Sequence, residues 1–223
     1  MSVKLRKRIN ESYITPVAER TDVEIIIEKL KTLYAEEILA WYQYYIVTKF
    51  LTGQERPSVA KEFETIAKDE LEDHADKLLK RISELGGDIT TINDIDNLKV
   101  LSKCQYFPPM KTYHTITQLE ENIQSELCAI KHYIELADMT KDKDYTTYCM
   151  AVEILADEEE HLRELQDLHC DITGEEFMPE NFKKHNDEYV EQNIEVINQY
   201  VDDDGNEWTQ TPELGELYVL RMK

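Results

Sequence analysis

Glycine and proline are both scarce in this sequence, with six of each among 223 residues. Most of them fall into four clusters, at 53–57, 86–87, 108–109 and 174–179, and neither residue occurs in the stretches between these clusters. An all-β chain needs frequent turns, whereas long helices need uninterrupted stretches of this kind. The scarcity of both residues therefore predicts an all-α protein.

Positive charge is also in short supply, because 25 Lys and Arg face 47 Asp and Glu and leave a formal net charge of −22. This charge disfavours nucleic acids and anionic membranes as partners and favours cations. No hydrophobic run approaches the roughly 18–20 residues that span a bilayer. The four cysteines lie far apart without a C-x-x-C pair, which predicts reduced thiols in a soluble, cytoplasmic protein.

Four long stretches carry apolar residues at helical spacing and predict a four-helix bundle. Their approximate bounds are 22–51, 58–85, 117–139 and 142–170. The connection over 88–114 is too long for a tight turn, and it predicts a crossover that lets the third helix run parallel to the second. We therefore expect a basic arm over 1–20, the bundle over 21–172 and an acidic extension over 173–223. Within the extension, 181–200 has room for one more helix.

Carboxylates occur within the apolar stripes of the predicted helices. Glu37, Glu126 and Glu158 each share the phase of the neighbouring apolar residues. An unpaired carboxylate in a protein core costs several kcal/mol, so converging carboxylates require cations between them. Glu158 and His161 form an E-x-x-H pattern, whose spacing puts both side chains on one helix face. Two single glutamates and two Glu/His helices in a bundle are typical of a di-iron or di-manganese site.

The second helix departs from this spacing. Leu71 occupies the position three residues before His74, where a ligand is expected. Glu70 lies four residues before His74, about 40° around an α-helix, and shares its phase with Phe63. We therefore predict Glu70 and His74 as ligands, brought into line by a one-residue π-bulge. Asp73 is the alternative carboxylate.

These residues resemble the ferritin-like superfamily, above all the bacterioferritins and the Dps-like proteins with a bacterioferritin-type site. The resemblance extends over residues 22–170 and rests on the segments 37–44, 74–76, 125–127 and 157–161. It implies that Glu37 and Glu126 are terminal ligands and that Glu70 and Glu158 are bridging ligands. His74 would bind one metal and His161 the other. It also implies that Tyr44 is a tyrosine near the metals that can donate an electron.

By this resemblance, the activity is the oxidation of Fe(II) with O2 or H2O2 at two iron ions per subunit, with manganese as the alternative metal. Storage of the product and protection from oxidative stress would follow inside a hollow homo-oligomeric cage. Haem is not expected, because Glu72 stands where bacterioferritin has its haem-binding methionine. The resemblance implies a cysteine pair near the site, Cys104 with Cys128, whereas the residues alone favour buried, inert thiols.

Two other functions fit the same residues. One is a peroxidase or manganese catalase that stores nothing, and the other is a non-enzymatic structural or cargo protein that docks through residues 178–223. The basic run at 4–8 is short against so acidic a chain, so we expect it to be solvated rather than bound to DNA. The remaining histidines are expected at the surface or at helix ends: His114, His132, His169 and His185.

Overall fold

The computed structural model of the protein describes residues 17, 21–104, 106, 113–175, 177, 198–201 and 207–210. The chain divides into two compact units, 1–176 and 177–223, and each is described by itself. The first unit contains six α-helices and one π-helical turn within the described residues. In chain order they are α1 (Val23–Phe50), α2 (Arg56–Asp69), the π turn (Glu70–His74), α3 (Ala75–Glu84), α4 (Ile95–Leu101), α5 (Thr115–Thr140) and α6 (Tyr145–Thr173).

Local sequence signals set the bounds of these helices. The Asp22 side chain accepts a hydrogen bond from the Glu24 backbone N–H and caps α1, as expected of an N-cap aspartate. Pro57 lies in the first turn of α2, where its missing N–H is not needed. Gly174 follows α6 in a left-handed conformation with φ of 72°, the usual glycine ending of a helix.

The second bundle helix is continuous over 56–84, because the π turn joins α2 directly to α3. Thr52, just after α1, pairs with the start of α5: its backbone N–H donates to the Tyr113 carbonyl, and its carbonyl accepts from the Thr115 N–H. Since α2 begins four residues after Thr52, α2 and α5 start at the same end of the bundle and run parallel. The predicted four-helix bundle with a long crossover is confirmed, and the crossover itself contains the unpredicted helix α4.

Buried side chains of α1, α3, α5 and α6 meet in one hydrophobic core, which includes Leu30, Leu33, Leu78, Tyr133 and Ile154. Between α5 and α6 the chain turns through only four residues, with Asp142 in the left-handed region at φ of 62°. This short connection makes α5 and α6 neighbours, as the sequence predicted. Within the described ranges, we find no helix whose length and hydrophobicity would suit a membrane span.

The second unit contains the strands β1 (Asn198–Val201) and β2 (Glu207–Gln210), which pair antiparallel with Tyr200 opposite Trp208. Aromatic and β-branched residues favour strands. The helix considered for 181–200 is therefore wrong at its last three residues, and its other residues lie outside those that the structure describes. Apart from Val17, the basic arm over 1–20 also lies outside the described residues, and the three-part division stays a prediction.

Candidate metal centre

The six predicted ligands meet in the middle of the bundle. They form two overlapping groups, in each of which one ligand-type atom per residue lies within 4.8 Å of the others. Glu70 and Glu158 belong to both groups. Glu37 and His74 complete one group, and Glu126 and His161 complete the other. All six residues are at most 4% exposed.

Each of the four bundle helices contributes to the centre. Glu37 lies on α1, Glu126 on α5, and Glu158 and His161 lie one turn apart on α6. Glu70 and His74 are the first and last residues of the π turn. This turn brings Oε2 of Glu70 to 3.0 Å from Nδ1 of His74. The π-bulge predicted from the four-residue spacing is therefore present.

Asp73, the alternative carboxylate, lies at the edge of the centre. Its side chain is 45% exposed and accepts a hydrogen bond of 2.5 Å from Lys77. Asp73, His74 and Asp157 form a third, partly exposed group of ligand-type atoms. Because Glu70 is only 1% exposed and is shared by both central groups, the geometry favours Glu70 over Asp73 as the second-helix ligand.

Four buried carboxylates so close together perturb one another. Burial, followed by the charge of Glu158, raises the pKa of both Glu70 and Glu126. Burial would also raise the pKa of Glu158, but the adjacent imidazoles of His161 and His74 outweigh it and lower that pKa. Burial would lower the pKa of His74, but the neighbouring carboxylates of Glu158, Glu37 and Glu70 raise it instead. The centre therefore concentrates negative charge that two imidazoles only partly offset.

Several polar atoms in the centre have no hydrogen-bond partner. They are both carboxylate oxygens of Glu158, Nε2 of His74 and Nδ1 of His161. Buried polar groups are nearly always satisfied in folded proteins, so each exception requires an explanation. Carboxylate oxygens with one imidazole per metal suit iron or manganese. The donor set therefore fits a pair of divalent cations.

Two tyrosines reach the centre from the sides. The Tyr44 hydroxyl donates to Glu126, and the Tyr133 hydroxyl donates to Glu37. Burial, followed by the charge of the neighbouring glutamate, raises the pKa of both tyrosines. Tyr44 is thus adjacent to the centre, as predicted. The equivalent position of Tyr133 was not predicted, although Tyr133 lies two helical turns after Glu126 on the same face of α5.

A second cluster lies next to the centre. Cys104 and Cys128 form a disulfide with Cα atoms 5.9 Å apart, so the expectation of reduced, inert thiols is wrong for this pair, whereas the pairing implied by the family resemblance is present. His132, expected at the surface, is 8% exposed and lies 2.9 Å from Glu36. His169 is also buried, at 6% exposed. The four-residue spacing of Cys128 and His132 on α5 was the available signal for this cluster.

Residues 27–174 match the ferritin-like domain family. The chain belongs to the ferritin-like family. A curated relative, the DNA protection during starvation protein of Pyrococcus furiosus, is 36% identical over 149 residues, which cover 65% of this chain and 78% of the relative.

Two solved structures are similar in sequence and in fold to this ferritin-like chain. One is the dodecameric thioferritin of Bacteroides fragilis, a bacterioferritin-related protein, with 35% identity, a TM-score of 0.69 and coverage of 78% of this chain and 98% of that one. The other is a ferritin-like di-iron-carboxylate protein of Bacillus anthracis, with 27% identity, a TM-score of 0.55 and coverage of 66% and 96%. The predicted resemblance to bacterioferritin-related and Dps-like proteins is confirmed.

Proposed function

We propose that this ferritin-like protein is a ferroxidase, which oxidises Fe(II) at the central carboxylate and histidine cluster with O2 or H2O2 and serves in iron storage and protection from oxidative stress. The observation that carries the proposal is the pair of overlapping four-residue groups, which share Glu70 and Glu158 and contain buried ligand-type atoms without a hydrogen-bond partner. Family membership supports the same role, because the similar Bacillus anthracis protein is a di-iron-carboxylate protein.

The two groups suggest a role for each residue. We assign Glu70 and Glu158 to hold both Fe(II) ions, because each belongs to both groups. Glu37 and His74 would hold one ion, and Glu126 and His161 the other. This arrangement brings two one-electron donors together. Two Fe(II) ions and two protons convert one H2O2 into two waters, or one O2 into one H2O2, so two adjacent ions complete either reduction without releasing a one-electron product.

The tyrosines fix the terminal carboxylates. Tyr44 and Tyr133 each donate a hydrogen bond to one glutamate, Glu126 and Glu37 respectively. Burial holds both hydroxyl groups in the neutral form, so each remains a donor at physiological pH. We further propose that Tyr44 supplies an electron when only one Fe(II) is present.

The assembly proposed for this function is a hollow homo-oligomer. Its support is the similarity to a thioferritin that is dodecameric and of which this chain covers 98%. Twelve copies would form a particle of twelve times the 26.3 kDa of one chain. A particle of that mass with more iron than two ions per chain would support storage.

The deciding experiment is replacement of one ligand from each of two helices, Glu126→Ala with His161→Ala. We expect Fe(II) oxidation to fall to the rate of Fe(II) in buffer, because one of the two groups loses half of its ligands. Fe(II) oxidation is followed by absorbance, and helical content by circular dichroism. Retention of rapid oxidation in this variant would refute the proposed site.

A matched control is Glu159→Ala with Glu160→Ala, which removes two carboxylates from the exposed face of the same helix turn. This control should oxidise Fe(II) at the wild-type rate.

Particle mass and iron content, measured on the same preparations, separate the other candidate functions. A small oligomer that consumes H2O2 without retaining iron would instead indicate a peroxidase or a manganese catalase. A wild-type protein that neither oxidises Fe(II) nor consumes H2O2 would indicate a structural or cargo protein.

A further inference from the structure

The disulfide cluster beside the metal centre contains more than two sulfur atoms. Sγ of Cys104 lies 3.6 Å from Nδ1 of His132, and the same nitrogen lies 2.9 Å from Oε2 of Glu36. Ligand-type atoms of Cys104, Cys128 and His132 all lie within 4.8 Å of one another. Glu36 is only 1% exposed. Two sulfurs and an imidazole thus lie together, and the carboxylate of Glu36 contacts that imidazole.

We propose that this cluster is a redox-gated zinc site, which is closed while Cys104 and Cys128 form a disulfide and which binds one Zn²⁺ per chain when they are reduced. The two thiolates and Nδ1 of His132 are the three ligands of first choice, and Oε2 of Glu36, 2.9 Å from that nitrogen, is the candidate for the fourth position. Zinc favours tetrahedral sites made of Cys, His and carboxylate ligands. This inference does not depend on iron oxidation.

The site opens when the disulfide is reduced. An external dithiol gives two electrons and two protons to the disulfide, so that its own S–S bond forms while the Cys104–Cys128 bond breaks into two thiols. Binding of Zn²⁺ then releases both thiol protons to solvent. At Zn–S bonds of roughly 2.3 Å, the two sulfurs of a tetrahedral site lie about 3.8 Å apart, so reduction must precede binding.

Glu36 is already held in position for this role. Its Oε1 accepts hydrogen bonds from the backbone N–H groups of Lys103 and Cys104, at 2.8 and 3.3 Å. These bonds tie the crossover segment with Cys104 to α1 and leave Oε2 directed at His132. Because these bonds come from backbone groups and not from the sulfur atoms, we expect the carboxylate to keep its orientation when the disulfide is reduced.

The ligand types separate this cluster from the metal centre. The centre offers carboxylate oxygens and imidazoles, which suit iron or manganese, whereas thiolates select softer ions such as zinc. Both clusters use neighbouring residues of the same helices: Glu36 precedes Glu37 on α1, and His132 precedes Tyr133 on α5. None of the residues in the two central groups belongs to the cysteine cluster.

Cobalt(II) is the probe that tests the proposal, because only thiolate ligation gives an intense near-ultraviolet charge-transfer band with strong visible bands from a tetrahedral site. The full chain is reduced with a phosphine, freed of reductant and titrated with Co²⁺ under anaerobic conditions. We expect these bands to saturate at one Co²⁺ per chain and to disappear on addition of one equivalent of Zn²⁺. The oxidised protein, which keeps its metal centre, should show neither band.

Variants identify the residues that produce the absorption bands. Cys104→Ser with Cys128→Ser should abolish them, and His132→Ala should weaken Co²⁺ binding by about a hundredfold, since even outer-shell partners are worth about 10–100-fold. Cys149→Ser with Cys170→Ser is the matched control, because both are free thiols outside the cluster, and it should keep the bands. Should the first variant not fold, the oxidised and reduced wild-type proteins still provide the comparison. A fully reduced protein without the bands, or bands that survive removal of Cys104 and Cys128, would overturn the zinc site.

Discussion

Removal of the Tyr44 hydroxyl group tests the chemistry of this side chain without changing the packing of its ring. Its ring packs edge-on against Phe63, with centroids 5.0 Å apart, and only its hydroxyl reaches Glu126. Tyr44→Phe should therefore fold normally but oxidise Fe(II) about tenfold more slowly, which corresponds to roughly 1.4 kcal/mol, within the range of about 0.5–1.5 kcal/mol for the loss of one hydrogen bond. Stopped-flow absorbance measures the rate.

Tyr133→Phe is the matched control for Tyr44, because it removes the equivalent hydroxyl from Glu37. If Tyr44 donates an electron, a tyrosyl radical signal in electron paramagnetic resonance should vanish in Tyr44→Phe and persist in Tyr133→Phe. Equal signals in both variants would assign to Tyr44 only the positioning of Glu126.

A second residue-scale prediction concerns pH. Burial, followed by a hydrogen bond and charge repulsion from Glu164, raises the pKa of Glu62 to about 7. A carboxyl whose pKa is raised by folding stabilises the folded state below its unfolded pKa of about 4.3, and this contribution is lost as pH rises through about 7. Glu62→Gln stays neutral, so its Tm should exceed that of the wild type at pH 8 and match it only below about pH 4.

The exposed Glu159 provides the comparison for Glu62. Glu159→Gln should shift Tm by nearly the same small amount across this pH range, because a solvated carboxylate interacts weakly with its surroundings. A Tm difference between Glu62→Gln and wild type that does not change with pH would contradict the raised pKa.

At the scale of elements, one buried ion pair ties the second bundle helix to the start of α6. Arg81 donates two hydrogen bonds of 2.8 Å to Asp144 and one of 2.7 Å to Thr147. Asp144 also caps α6 through the Thr147 N–H. Burial would raise the pKa of Asp144, but hydrogen bonds from Thr147 and Arg81 outweigh it and lower that pKa.

Arg81→Ala leaves Asp144 buried without its partner and should lower the free energy of unfolding by about 3 kcal/mol, the range for breaking a buried pair. Arg163→Ala removes an exposed Arg–Glu pair within α6 and should cost less than about 1 kcal/mol. Denaturant unfolding followed by circular dichroism measures both. Equal costs for the two variants would show that the Arg81 pair contributes no more than a surface pair.

The sequence was a good guide to elements whose signal is local. Apolar spacing between the glycine and proline clusters was enough to locate the long helices, and the four-residue separation of Glu70 and His74 was enough to predict the π turn. The short helix α4 was missed, because its seven residues carry too few apolar positions to show a period. The β-hairpin was missed because four-residue strands have equally little pattern.

The candidate site was predictable only as far as its ligand-type residues. A glutamate within an apolar stripe signals burial by itself, so all six central residues were found. The contacts of Tyr133 with Glu37 and of His132 with Glu36 join residues 96 positions apart. Such contacts depend on how α1 and α5 pack, and no local pattern encodes them. For the same reason, spacing alone favoured inert thiols where Cys104 and Cys128 pair.

At the scale of the whole molecule, metal binding should increase the stability of the fold. Four buried carboxylates repel one another in the absence of a cation, so ions that bind the folded centre stabilise it by mass action, by about 2.7 kcal/mol for one site at a hundredfold excess over Kd. Mn²⁺, which air does not oxidise rapidly, should therefore raise Tm, and a chelator should reverse the rise. Differential scanning calorimetry measures this shift.

Glu158→Ala, which removes a residue common to both groups, should lose most of the Mn²⁺-dependent rise in Tm, whereas Glu159→Ala should keep it. A rise of the same size in both variants would mean that Mn²⁺ acts on the acidic surface of the molecule, with its net charge of −22, rather than on the centre.

The π turn has one more consequence, which concerns chain length. Removing one residue from 70–74 would let α2 and α3 merge into a regular α-helix while the flanking residues keep their faces, because the π turn holds one residue more than an α-helical turn. Glu70 and His74 would then keep their common face only if the deletion left them three residues apart. Deletion of Leu71 does this and creates the E-x-x-H spacing that Glu158 and His161 already have. The second bundle helix thus behaves as an E-x-x-H helix with a one-residue insertion, which its widened turn absorbs.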